Sequence, residues 1–135
     1  MKKALILLAI TALAAVSFTA CNPSEIFIKA IVKNADKQYP EDMGDGLTMQ
    51  SIEYDGKYVT YTIEGDEDLY SFSQDLVTPE LKKDMISSLY DLSLDDGNVV
   101  EFLNVLRKHN KGIIYSYYTL DPYSEMEVVL EPGEF

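Results

Sequence analysis

The chain has 135 residues, with 23 acidic against 11 basic side chains, a formal net charge of −12, and a single cysteine. That charge repels nucleic acid, and one cysteine cannot form an intramolecular disulfide. The hydrophobic content of 47% and the ten tyrosines argue against disorder and for one folded domain with a modest core.

The first residues are an export signal by their layout. Lys2 and Lys3 precede an apolar run from Ala4 to Ala15 that only Thr11 interrupts. Counted on to Ala20, the stretch approaches the length of a membrane span, so a retained transmembrane helix is the alternative. The residues that follow favour cleavage. Phe18-Thr19-Ala20-Cys21 resembles the lipobox of bacterial lipoproteins: a bulky apolar residue, two small or hydroxylated ones, then cysteine. The resemblance covers only the signal and Cys21. It implies that residues 1–20 are removed and that the Cys21 thiol carries a diacylglyceryl group, often with a third acyl chain such as palmitate on the freed amine. Asn22 stands where an aspartate would resemble the inner-membrane retention signal of enteric bacteria. A lipid-anchored place in the cell envelope, on the outer membrane facing the periplasm, is the expectation. Cutting the signal takes Lys2 and Lys3 away, leaving nine basic and 23 acidic residues and a charge of −14 over 21–135. At that charge the polypeptide itself is not expected to lie on the membrane that holds it.

Asn22-Pro23 reads as a helix start, and Phe27, Ala30, Ile31 and Ala35 recur at helical spacing, with Lys29, Lys33 and Lys37 on another face. Tyr39-Pro40 and Gly44-Asp45-Gly46 end that helix. Residues 47–64 alternate as strands about Asp55-Gly56, a hairpin turn dipeptide. Folding there pairs Ile52 with Val59 and Gln50 with Tyr61. Thr48, Ile52, Tyr54, Val59, Tyr61 and Ile63 then face the core, while Met49, Ser51, Tyr58, Thr60 and Thr62 face outward. Leu69 to Val77 is a strand extension or a loop. Thr78-Pro79-Glu80 opens a second helix with a buried stripe of Leu81, Met85, Leu89 and Leu92, broken at Asp95-Asp96-Gly97. A third helix carries Val99, Phe102, Leu103 and Leu106, and ends on Arg107, Lys108 and His109, where positive charge suits the helix dipole. Residues 113–131 form a second hairpin about a four-residue loop, Asp121 to Ser124. Tyr117 is then opposite Val128, and Tyr115 opposite Leu130. The fold class expected is α+β: helix, hairpin, two helices, hairpin, with an antiparallel sheet of about four strands and the helices on one face.

Catalytic constellations are sparse. The one histidine, His109, sits in a helix-ending basic run, so a serine or cysteine triad has no evident base. Zinc spacing and a phosphate loop are both missing from the sequence, and neither metal nor cofactor is expected. Calcium has some oxygen ligands in Asp66-Glu67-Asp68 and in the run from Asp91 to Asn98. The second run has Gly97 one place late for an EF-hand, and Phe102 at the closing position. The outward sheet face is the remaining candidate. Tyr58, Thr60, Thr62 and Tyr118 are the expected binding residues, because hydroxyl- and aromatic-rich surfaces suit protein or glycan contact. The function expected is a non-catalytic envelope lipoprotein that binds a protein or glycan through this face. The alternative is a small hydrolase using a carboxylate pair.

Overall fold

A computed structural model describes residues 25–93 and 97–135. The signal segment 1–20, Cys21, the Asn22-Pro23 cap and the Asp95-Asp96 break lie outside the described residues.

Helix α1 (Glu25–Asp36) buries Ile28, Ile31, Val32 and Ala35, a spacing that keeps all four on one side of a helix. Ala30, expected among the buried positions, is exposed, and Phe27 is half-buried. The stripe is rotated by about one residue from its expected position. Its buried side packs on strand β2. At its end the Asp36 carboxylate accepts the Ile52 N–H at 3.0 Å. Three strands follow: β1 (Glu41–Gly44), β2 (Leu47–Tyr54) and β3 (Tyr58–Gly65). After a 3₁₀ turn at Gln74–Leu76 come α2 (Pro79–Ser93), α3 (Gly97–Lys108), β4 (Gly112–Leu120) and β5 (Tyr123–Leu130). The Thr78 hydroxyl caps α2 by accepting the Leu81 N–H at 3.1 Å. Helix α3 ends where Asn110 takes a left-handed φ of 57° and the Lys111 N–H reaches back to the Leu106 carbonyl at 2.8 Å.

The α+β class is as expected, with two differences of detail. The sheet has five strands in the order β1-β2-β3-β4-β5, and its central pair, β3 and β4, is parallel. Two helices lie between those strands, and such a crossover is what a parallel return requires.

Both hairpins pair two residues away from the expected register. Asp55 accepts the N–H groups of Lys57 and Tyr58 on one carboxylate oxygen, each at 2.8 Å, and Gly56 has φ 101°. The turn therefore centres on Gly56-Lys57, which pairs Tyr54 with Val59 and Ile52 with Tyr61. In the second hairpin the loop shortens to Asp121-Pro122. Leu120 pairs with Tyr123, Tyr117 with Met126 and Tyr115 with Val128. An even shift leaves each side chain on its own face. The register is irregular between Met49 and Ser51, a bulge that inverts the faces before it. Met49, expected outward, is 0% exposed, while Thr48, expected in the core, is half-buried on the other side.

One core results. Met49, Ile52, Val59, Tyr61, Ile63, Ile113, Tyr115, Tyr117, Met126, Val128 and Leu130 line the inner face. Against them lie the stripe of α1, Met85 and Leu89 of α2, and Val99, Phe102, Leu103, Val105 and Leu106 of α3. Tyr61 stacks on Tyr115 across the parallel pair, with ring centroids 5.4 Å apart. The helices thus cover one face of the sheet.

Candidate functional site: the open face of the sheet

Strand register lays the outer face out in rows. Glu53, Thr60, Ile114 and Val129 form one row, and Ser51, Thr62, Ser116 and Glu127 the next. Thr48, Glu64, Tyr118 and Glu125 form a third. Every one of these residues is half-buried or exposed. Thr60 and Thr62 stand at the centre, as their alternation in β3 requires.

The two tyrosines expected beside them are not brought together. Tyr58 is level with Gly112, and Tyr118 with Glu64, six residues further along the sheet, or about 20 Å. Their surroundings differ as well. The Tyr58 ring lies directly over Gly112, and its hydroxyl donates to Glu131 Oε1. That bond to a carboxylate, more than burial, raises the phenol above its ordinary value. Tyr58 is therefore tied into the sheet as a cover for a glycine.

Tyr118 sits in a different setting. Its hydroxyl donates at 3.2 Å to Glu64 Oε1, which also accepts from Gln50 Nε2 at 2.9 Å. Burial, then the charge of Glu64, raises its phenol. Beside it the hairpin tip continues the same face: Leu120 is 58% and Tyr123 63% exposed, and Tyr123 donates to Glu125 Oε2 at 2.6 Å. Leu120 and Tyr123 are further members of the face, hidden in the sequence because the expected four-residue loop takes in Tyr123. Tyr123, alternating with Glu125 and Glu127 after Asp-Pro, was the available signal.

An open depression of ≈ 530 Å³ adjoins this end, lined by Asp42, Asp45, Thr48, Glu64, Asp66 and Glu67 among others. Asp42 accepts the Gly44 N–H at 2.9 Å and Asp66 the Asp68 N–H at 2.8 Å, which commits an oxygen of each to its own turn. Among the described residues, three or more His, Cys, Asp or Glu side chains do not gather anywhere in a metal-holding group. The run from Asp91 to Asn98 lies partly outside the described residues. A second cleft, of ≈ 540 Å³, lies between the start of α2 and the C-terminal segment, lined by Val77, Pro79, Lys82, Lys83, Ile86 and Glu134 among others. His109 is half-buried, and its Nε2 is buried with no hydrogen-bond partner among the described residues.

No family model matches the chain, and no curated relative matches it. Its fold is similar to that of a crystal structure from Pseudomonas aeruginosa, a protein assigned as secreted, with a TM-score of 0.53 and 12% identity over 89% of this chain and 98% of that one. At that identity the likeness shows the fold alone.

Proposed function

We propose that this protein is a lipid-anchored lipoprotein of the cell envelope, held through Cys21 on the outer membrane facing the periplasm, and that it binds a protein or glycan without catalysis. The observation that carries the binding reading is the uncovered outer face. Its threonine and serine hydroxyls stand in register across three strands, and the Tyr118–Leu120–Tyr123 end offers aromatic and apolar area at low entropic cost. Glu53, Glu125, Glu127 and Glu131 are exposed along it, so the partner is a neutral glycan or a protein with a basic surface. An exported chain agrees with the lipobox resemblance and with the assignment of the Pseudomonas protein as secreted.

The carboxylate-pair hydrolase has one observation in its favour, the acid-lined depression beside Glu64. Two of those acids spend an oxygen on local turns. Elsewhere, partners hold the Glu25, Asp55 and Glu134 carboxyls below the ordinary range, the opposite of what a general acid needs.

A photo-crosslinking residue at Thr62, introduced in the native host, tests the reading against the same residue at Ser87, which is exposed on α2. Capture of a defined protein or glycan from Thr62 and not from Ser87 is expected. Adding Tyr118→Ala and Tyr123→Ala is expected to reduce that capture sharply. Equal capture from both positions would remove the face from consideration.

A further inference from the structure

We propose that the outer side of α1 rests on anionic lipid headgroups, so that the helix lies between the membrane and the sheet; this rests on the reading of Cys21 as the anchor. The side of α1 opposite its buried stripe is exposed at Ile26, Lys29, Ala30, Lys33 and Asn34, and Lys37 continues it just past the end. At helical spacing Ile26, Ala30 and Lys33 fall within an arc of about 60°. That arc is opposite Ile28 and Ala35, which are both 0% exposed.

The helix also has two acids, Glu25 and Asp36, both exposed and both at the Lys29 edge of this side. Glu25 Oε1 accepts from Lys111 Nζ at 2.8 Å and lies 3.1 Å from the Tyr54 hydroxyl. Asp36 accepts the Ile52 N–H at 3.0 Å. Both carboxylates are drawn toward the sheet. The ion pairs among the described residues are Lys82–Glu134 and Lys111–Glu25, and Lys29, Lys33 and Lys37 belong to neither. In a chain of 23 acids and 11 bases, one helix side thus carries three lysines, with its two acids at one edge and hydrogen-bonded toward the sheet.

Net charge misleads here, because a surface meets a membrane with one side only and the charge of that side decides. Ile26, 77% exposed, supplies an apolar group at the same height as the lysines, whose long stems let their amines reach the headgroups. Glu25 is four residues on from Cys21, so the chain places the start of α1 within about 14 Å of the anchored cysteine. Acyl chains with an adjoining basic patch are a recurrent pair of membrane signals. Because α1 packs on the inner face of the sheet, this arrangement turns the open face away from the bilayer, toward any partner.

The test uses the mature protein purified from its host membrane, with its intact mass read first for the acyl groups on Cys21. It is reconstituted in vesicles of phosphatidylcholine, and in vesicles of phosphatidylcholine and phosphatidylglycerol in equal parts. Lysine modification by an amine-reactive reagent is followed by mass spectrometry. Lys29 and Lys33 are expected to react several-fold more slowly on the phosphatidylglycerol vesicles and to recover in high salt, while Lys57, Lys83 and Lys108 react alike on both. In the double variant Lys29→Glu and Lys33→Glu, with its melt checked, Lys37 is expected to regain its rate on phosphatidylcholine. Lys29 and Lys33 reacting alike on both vesicles would overturn the proposal and leave the lysines as a solvated helix side. An intact mass without acyl groups would instead end the anchor reading. Sedimentation of that chain with phosphatidylglycerol vesicles and not with phosphatidylcholine would then still support the α1 reading, and failure to sediment would overturn it.

Discussion

Gly112 is where a single side chain would disturb the most. A Cβ built there would come within 2.6–2.7 Å of the Tyr58 ring and 2.7 Å of the Leu130 carbonyl oxygen. The ring could swing aside, but the carbonyl belongs to β5 and could move only with its strand. The Gly112 N–H also donates to the Lys57 carbonyl at 2.9 Å, which fixes the start of β4 against the β2–β3 turn. Gly112→Ala is therefore expected to destabilise by about 1–3 kcal/mol, as overpacking does. Gly97→Ala, where nothing lies within 4 Å, should change stability little or raise it slightly, since alanine is the better helix former. Urea unfolding of the two variants checks the contrast, and equal losses would show that the Tyr58 contact is not what Gly112 serves. The same geometry decides which tyrosines probe the outer face. Removing Tyr58 uncovers Gly112 and changes the sheet, whereas Tyr118 and Tyr123 engage only side-chain carboxylates in the hydrogen bonds described.

Hairpin faces were legible in the sequence because side-chain direction repeats every two residues, and a register error of two cannot alter it. The register itself was not. Asp55-Gly56 suggests a turn between those two residues, yet the Asp55 carboxylate bridging to Lys57 and Tyr58 moves it one residue on. The alternation alone puts Thr60, Thr62 and Tyr118 on the outward side, where the structure has them, whereas the two-residue loop of the second hairpin is what brings Tyr123 opposite Leu120. Strand β1, Glu41-Asp42-Met43-Gly44, has no strand signal of its own and forms by pairing with β2. The parallel β3–β4 pair depends on where α2 and α3 deliver the chain, which no local pattern records. The Gln50 bulge is an odd-numbered irregularity within the β2–β3 pair, and it is testable by reversal. Regular alternation makes Thr48 the core residue, whereas the bulge makes it Met49. Met49→Ala is expected to cost about 2–5 kcal/mol, and Thr48→Ala about 0.5 kcal/mol or less. Chemical denaturation of both decides, and the reverse order would mean that β2 runs without the bulge.

At the scale of the whole molecule, three lysines stand on the outer surface of α1, glutamates lie along the open face of the sheet, and a charge pair closes the C-terminal segment onto α2. There Glu134 accepts the Glu131 N–H at 2.7 Å and pairs with Lys82 at 3.0 Å. The backbone bond first, then Lys82, holds the Glu134 carboxyl below its ordinary 4.5. A group with a depressed folded pKa adds stability above its unfolded value and loses it as pH falls through the folded one. The contribution should therefore be complete at neutral pH, begin to fade below about 4.5, and be gone once the folded carboxyl is protonated. Glu134 is 39% exposed in its side chain, so solvent screening keeps the effect small, about 0.2–1 kcal/mol. Glu134→Gln keeps the size and an oxygen that can still accept the Glu131 N–H, and it removes the charge. At neutral pH the variant should be less stable than the wild type by that amount, and the two should draw together as the pH is lowered below about 4.5 and through the folded carboxyl's depressed pKa. Urea unfolding across that range measures the gap directly. A gap of the same size at both ends would show that the loss comes from altered packing of the turn and that the Lys82–Glu134 charge pair contributes nothing to holding the segment on α2.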